Sequence, residues 1–316
     1  MLLRNLAYLD ALAREEHFAR AAAACNVTQP TLSAGIKQLE EELGLLLVQR
    51  GQRFQGLTPE GERIVHWARR VLADATSLQE EASELRGGLV GRLRIGSIPT
   101  VLPAMALVTA PFSERYPGVG ITVLSLPSTE IQRGLDSFAL DAGLTYLDNE
   151  PLTGVRTVPL YHERYYLFTS DQGPLADQSS ARWSDLASMP LCLLTPDMQN
   201  RRILDAQFAA AGISPKVGIE TNSVLTLWAQ VRSGRWSSVL PQPFLHLLGE
   251  PKGVRAVELE AASPAYTIGL VIPDREPLTP SARELARLVQ EVSVAGTLER
   301  GRLPNPPRAE SRLAET

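Results

Sequence analysis

The stretch NVTQPTLSAGIKQLEEELG, Asn26 to Gly44, decides how the chain begins to fold. Thr28 is a helix N-cap by type, and Pro30 falls in the first turn, where its missing N–H costs no hydrogen bond. Leu32, Ile36, Leu39 and Leu43 then recur at spacings of four, three and four, giving one apolar face, and Gly44 supplies a stop. Polar residues crowd the N-terminal tip: Thr28, Gln29, Thr31 and Ser33, with Lys37 one turn further on.

Upstream, Leu3, Leu6, Leu9, Leu12 and Ala13 recur at helical spacing and predict an amphipathic helix over the first fifteen residues. A short second helix spans Phe18 to Cys25, where Ala19, Ala21, Ala22, Ala23 and Ala24 let two helices approach closely, and Asn26 and Val27 make the turn. The result is a three-helix unit with a tight helix-turn-helix. Its third helix is placed for DNA recognition: in such units the tip enters the major groove, Thr28, Gln29, Thr31 and Ser33 do most of the reading at base edges, and Lys37 meets phosphate. Next comes LLLVQRGQRFQGLTPEG, which predicts a wing of two extended pieces, with Arg50 and Arg53 reaching the flanking backbone or minor groove.

Thr58 and Pro59 start a further helix by the same logic, running to about Arg86. Along it Ile64, Ala68, Val71, Ala75, Leu78, Ala82 and Leu85 keep a strict heptad seam, which pairs with a copy of itself and offers two recognition helices to a pseudo-palindromic site. Three of these seam residues are alanine, so a long helix packed on its own domain stays open as the alternative. Gly87 and Gly88 end the helix and form a hinge.

Beyond the hinge, strands alternate with helices as in an open α/β sheet. The predicted strands are RLRIGSI, GITVLSL, LDAGLTY, YYLFTS, PLCLLT, KVGIET, SSVLP and AYTIGLVIP. The intervening helices are predicted at 102–116, 128–138, around 201–211, at 224–233 and at 281–294. Two such lobes connected twice make a cleft that closes on a small molecule. Ligands in these sheets sit beyond the carboxyl ends of strands, which here carry Ser97, Thr100, Ser128, Gln199, Asn200, Asn222 and Ser223. Hydroxyls and free amides at helix starts suit a small organic anion, although each residue alone is also an ordinary cap. The domains expected are 1–58 (winged helix-turn-helix), 59–88 (linker helix), 91–300 (effector-binding) and 301–316 (disordered tail). Within the effector domain, lobe I takes 91–162 and 265–300 and lobe II takes 163–264.

Bulk properties narrow the function. Lys and Arg number 31 against 35 Asp and Glu, a net charge of −4, and the first 58 residues balance six against six. DNA binding therefore requires segregated charge, with Arg50 and Arg53 apart from the run Glu40 to Glu42. No apolar run reaches the ~18 residues of a membrane span and charges come too early for a signal peptide, so a cytoplasmic location without a membrane partner is expected. Cys25 and Cys192 have no ligand-spaced neighbours and are expected as buried hydrophobes, with redox sensing by Cys192 left open. His17, His66, His162 and His246 sit in separate contexts, and there is no GxSxG, Walker or GxGxxG motif, so no enzyme, cofactor or metal is expected.

Taken together, FARAAAACNVTQPTLSAGIKQLEEELG, LVQR, LTPEG, the long helix and RLRIGSIPT resemble the LysR-type transcriptional regulators over nearly the whole chain, to about residue 300. The resemblance implies a periplasmic-binding-protein-like effector domain, a homodimer or homotetramer, binding to double-stranded DNA and control of a promoter by a small-molecule effector. Family DNA-contact positions map onto Thr28, Gln29, Pro30, Thr31, Ser33, Lys37, Arg50 and Arg53, and pocket positions onto Thr100, Ser128, Gln199–Asn200 and Asn222–Ser223. Two departures stand out. Ala34 and Gly35 replace larger polar residues, which removes two possible contacts and costs the helix roughly 1 kcal/mol at the glycine. Trp236 stands where a glycine is common and is expected to fill that corner of the cleft. Competing readings are a DNA-binding regulator without ligand and a cytoplasmic solute-binding protein, the latter leaving the first 88 residues without purpose.

Overall fold

The computed structural model describes residues 2–49, 54–261 and 265–300. Its N-terminal unit comprises α1 (Leu3–Glu15), α2 (Phe18–Ala24), α3 (Gln29–Leu43) and the first half of α4 (Pro59–Glu84). The Thr28 hydroxyl accepts from the Thr31 N–H, and Gly44 ends α3 at φ +66°. Leu32, Ile36 and Leu39 pack with Leu6, Leu9 and Leu12 of α1 and with Ala21 and Ala22 of α2. Leu43, expected to complete that stripe, is exposed. Asn5 in the first turn of α1 hydrogen-bonds to Gln38, so the last turn of α3 runs beyond the start of α1.

Gly35 has a packing reason. A Cβ there would lie 2.6 Å from the Tyr8 ring and 2.9 Å from the Asn5 amide oxygen, so the glycine is where α1 crosses α3 most closely. Glu40 also differs from expectation. Instead of joining a solvated acidic run, it turns inward and accepts from the backbone N–H groups of Leu47 and Val48 at 2.9 and 3.2 Å, fixing the base of the wing. Val48 and Leu57 form an antiparallel bridge there. Arg50 and Arg53 lie outside the described residues, as does the tail 301–316.

The heptad seam divides between two environments. Ala68 is 1% exposed and belongs to the core of the winged unit, with Ile64 and Val71 partly buried against it. Ala68 is therefore corrected from the pairing face to the intradomain face, because α4 also has to cover α1. The Asp10–Arg69 ion pair at 2.6 Å sits on that contact.

The effector region starts with β1 (Gly91–Ser97), a 3-10 turn (Pro99–Met105), α5 (Ala106–Arg115), β2 (Val119–Ser125), α6 (Ser128–Asp136), β3 (Ala142–Tyr146) and β4 (Val155–His162). Pro99 and Pro103 explain why the helix expected from residue 102 opens as a 3-10 turn. Then follow β5 (Tyr165–Ser170), β6 (Ser180–Ala181), β7 (Leu191–Leu194), α7 (Gln199–Ala210), β8 (Val217–Thr221), α8 (Val224–Arg232), β9 (Ser238–Pro241), α9 (Gln242–Leu248) and β10 (Val254–Leu259). β11 (Thr267–Pro273), α10 (Pro280–Glu291) and α11 (Val294–Arg300) complete the chain. One sheet has the order β2-β1-β3-β11-β4, with β1, β2 and β3 parallel and β11 antiparallel to both neighbours. The second lobe holds β6-β10-β5-β9, with the β7-β8 pair joined to it through a Leu191–Ser237 bridge. The chain passes between lobes twice, from β4 to β5 and from β10 to β11. α4 is tied to the first lobe by Arg283, which pairs with Glu81 and Glu84 at 3.2 and 2.7 Å.

Candidate functional site

Three surfaces carry the functional chemistry. At the tip of α3, Thr28, Gln29, Pro30, Thr31, Ser33 and Lys37 are all exposed, on the side away from Leu32, Ile36 and Leu39. The hydroxyls of Thr28 and Thr31 lie 2.8 Å apart, and Lys37 pairs with Glu41 at 3.4 Å on the exposed surface. Exposed pairs of this kind contribute little stability, so Lys37 can exchange Glu41 for a phosphate at small cost.

The second surface is a stripe on α4. Trp67 is 58%, Leu78 71% and Leu85 81% exposed, a set of large apolar side chains rarely left in water without a partner. At 100° per residue they share one side with Val71 and Ala82, about a quarter turn from Ala68. Trp67 escaped the sequence reading because it falls outside a strict four-three seam. Its type, large and aromatic in a helix otherwise charged on that side, was the available signal.

The third lies between the lobes. Ser97, Thr100 and Ser128 are buried at the carboxyl ends of β1 and β2, and Gln199 and Asn200 are buried at the start of α7. Gln199 accepts from the Thr145 hydroxyl at 3.4 Å and Asn200 donates to the Tyr146 hydroxyl at 3.1 Å, both on β3, so α7 of the second lobe is fastened to the first. Ser97 donates to the adjacent Ile98 carbonyl, whereas the Thr100 hydroxyl is fully buried with no hydrogen-bond partner. Ser223 is used differently, as the cap of α8, and Asn222 is exposed; the described contacts join neither to this cluster. The Trp236 ring rests on Gly218 of β8, where an added Cβ would meet it at 2.2 Å, so it packs against lobe II's own strand rather than filling a corner of the cleft.

Sequence reading missed the group beneath this cluster. Glu163, at the first crossing between lobes, is buried and accepts from the hydroxyls of Tyr146 and Tyr165 at 2.5 and 2.6 Å. Burial pushes its carboxyl up to about 7, against the opposing effect of those two hydrogen bonds. The arginines at this end of lobe II are engaged: Arg201 with Glu220, Asp205 and the Leu194 carbonyl, Arg202 with Glu150 and two backbone carbonyls. Both thiols are held protonated by burial, Cys25 above its usual value and Cys192 pushed up to about 11. No cluster of metal-ligating side chains occurs among the described residues, and no helix there is long and apolar enough to cross a membrane.

A winged helix-turn-helix, a long helix with an unpartnered apolar stripe and a two-lobed α/β unit with a polar interlobe cluster together define a ligand-responsive DNA-binding regulator. Residues 3–62 match the bacterial regulatory helix-turn-helix protein family, lysR family, and residues 86–293 match the LysR substrate binding domain. The chain belongs to the LysR family of bacterial transcriptional regulators, proteins that are not enzymes. It is 32% identical over 291 residues to the DNA-binding transcriptional dual regulator OxyR of Escherichia coli, covering 92% of this chain and 95% of that protein. It is 30% identical over 293 residues to a hydrogen peroxide-inducible genes activator of Haemophilus influenzae, covering 92% and 97%. A full-length OxyR variant from Pseudomonas aeruginosa superposes with a TM-score of 0.73 at 28% identity, covering 97% of this chain and 99% of that one. CbnR bound to its target DNA has the same fold, with a TM-score of 0.67 at 21% identity and coverage of 92% and 100%.

Proposed function

We propose that this regulator acts in the cytoplasm on a pseudo-palindromic promoter site, as a dimer or a tetramer of two dimers, under control of a small organic effector held between the lobes. In this scheme residues 1–58 read DNA, 59–88 pair subunits and 91–300 bind the effector. Thr28, Gln29, Pro30, Thr31 and Ser33 take base edges, while Lys37, Arg50 and Arg53 take phosphates. Ile64, Trp67, Val71, Leu78, Ala82 and Leu85 form the pairing stripe, with Ala75 beside it.

The observation that carries the DNA assignment is the exposed polar tip of α3 opposite an apolar pairing stripe on α4. In a gel-shift titration on the chain's own upstream region, Gln29→Ala is expected to weaken binding by about 1–3 kcal/mol, roughly 5- to 150-fold. Leu78→Glu is expected to yield monomers in sedimentation and lose half-site cooperativity. Unchanged affinity for Gln29→Ala together with a dimeric Leu78→Glu would remove both assignments.

For the effector, the support is the buried, unpartnered Thr100 hydroxyl just after β1, together with the interlobe contacts of Gln199 and Asn200. In this scheme Ser97, Ser128, Thr145 and Tyr146 join the polar lining, and the starts of α6 and α7 favour an anionic group. The names of several relatives speak of hydrogen peroxide, whereas burial raises both thiols of this chain above their usual value. A thiol titrating near 11 is ionised in only about one molecule in ten thousand at pH 7, and Cys25 and Cys192 sit in separate cores. The polar interlobe cluster favours ligand binding as the signal. In a thermal-shift screen of small carboxylates, a hit at 100 times its Kd is expected to stabilise by about 2.7 kcal/mol, and Thr100→Val to abolish that shift. A hit whose shift survives Thr100→Val would place the effector elsewhere.

A further inference from the structure

One large crevice lies away from the interlobe cluster. A cavity of about 980 Å³ opens where α1, α4 and the first lobe meet. That volume is at the upper end for a small-molecule site, roughly 300–1,000 Å³. Its charged lining is four arginines, Arg14, Arg69, Arg92 and Arg94, against three carboxylates, Asp10, Glu80 and Asp141. Asp10 serves both Arg14 and Arg69, and Asp141 is bound by Arg94 through two nitrogens. The Arg92 side chain donates to a neutral group, the Thr122 hydroxyl at 3.2 Å, while its backbone N–H bonds to Glu80. A further guanidinium, Arg275, stacks 4.2 Å from the centre of the Phe138 ring, with its Nη1 buried and unpartnered. Positive charge is therefore in excess around a cavity that also has apolar walls, Leu72, Phe138 and Ala139.

The pairing stripe leaves this crevice free. Nine residues separate Arg69 from Leu78 and Thr76 from Leu85, which is two and a half turns, so the crevice and the stripe occupy opposite sides of α4. A second copy zipped along Leu78 and Leu85 would not cover it.

We propose that this crevice is a second ligand site, which takes a small amphipathic anion with its charged group on Arg92 and Arg14 and its apolar body on Leu72, Phe138 and Ala139. A guest there touches the DNA-binding unit, the linker helix and the first lobe at once. It stabilises the arrangement in which Arg283 holds Glu81 and Glu84, and so sets the angle at which the recognition helices are carried. The site stands independently of the interlobe effector.

The test is fluorescence titration of the full-length protein with 8-anilinonaphthalene-1-sulfonate, an anion with an apolar ring body. Saturable binding of one probe per chain is expected. Arg92→Gln, which removes charge, and Ala139→Trp, which fills an exposed wall of the cavity, should each raise Kd at least tenfold. The interlobe variant Thr100→Val should bind as wild type does. Two variants acting through different physics, each checked for a native melting curve, separate lost binding from lost folding. Probe binding unchanged in both crevice variants overturns the proposal, as does binding lost only in Thr100→Val.

Discussion

Gly61→Ala is expected to unfold the DNA-binding unit at temperatures where the rest of the chain is intact. Gly61 lies in the first turn of α4, and a Cβ added there would sit 2.0 Å from the Leu47 carbonyl oxygen and 2.9 Å from its carbon. Backbone atoms cannot rotate away as a side chain can. Relief requires α4 to lift off, which breaks the Gly61 N–H to Thr58 bond at 2.9 Å, the Thr58 hydroxyl to Leu46 carbonyl bond at 2.7 Å and the Thr58 N–H to Leu47 carbonyl bond at 3.0 Å. The same segment is held from its other side by Glu40. Alanine gains about 1 kcal/mol in helix propensity. Against it stand overpacking of about 3 kcal/mol and a lost cap of about 1 kcal/mol. The net loss of about 3 kcal/mol corresponds to a fall of roughly 12–24 °C for a unit of this size. Calorimetry of the full chain should resolve the early transition, with DNA binding lost in parallel. Gly88→Ala, whose Cβ meets nothing within 4 Å, is the control and should change stability by less than about 0.5 kcal/mol. Equal melting curves for Gly61→Ala and wild type would mean that the LTPEG glycine has no steric role.

The same residues explain what was legible in advance. Thr28, Pro30 and Gly44 bound α3, and Thr58 and Pro59 open α4, because caps act through bonds within three or four residues and leave a local signature. The alternation of strands and helices beyond Gly88 was readable for a related reason, since buried parallel strands are continuous apolar runs. β4 and β10 were not read. β4 is an edge strand interrupted by Pro159, its outer residues are polar, and its place is set by β11, which arrives over a hundred residues later. The face of α4 was half legible. A heptad period says that an apolar stripe exists but not which of two adjacent stripes is spent on α1, so Ala68 is buried in the core while Trp67 stays exposed. Glu163 had no local signature, because an acid among aromatic residues resembles a surface position until the chain is seen to cross between lobes there.

Glu163→Gln is expected to stabilise the protein at pH 8 and to change it by no more than about 1 kcal/mol at pH 5. The carboxyl accepts two tyrosine hydroxyls on one oxygen, and its other oxygen is buried without a partner. The group thus titrates near 7 in the folded protein against an ordinary value of 4.5. The folded state keeps the proton that the unfolded chain has released, so stability falls as pH rises from about 4.5 to 7 and is constant above that. An interval of this size corresponds to roughly 3 kcal/mol. Glutamine keeps an acceptor for Tyr146 and Tyr165 and removes the charge. Its melting temperature should exceed the wild type's at pH 8, and the decline between pH 5 and 7 should largely vanish. Parallel pH profiles for the two proteins would refute the assignment of that decline to Glu163. The cost also bears on function. Asn200 of lobe II donates to the Tyr146 hydroxyl, and Tyr146 donates to Glu163 between β4 and β5, so one chain of hydrogen bonds runs from the interlobe cluster to the first crossing between lobes. An effector that draws Asn200 away removes the donor that polarises the Tyr146 hydroxyl toward the carboxyl, and so disfavours the ionised form of Glu163. By reciprocity, raising the pH from 6 to 8 should weaken such an effector in wild type and have no comparable effect in Glu163→Gln, which isothermal titration at both pH values would measure.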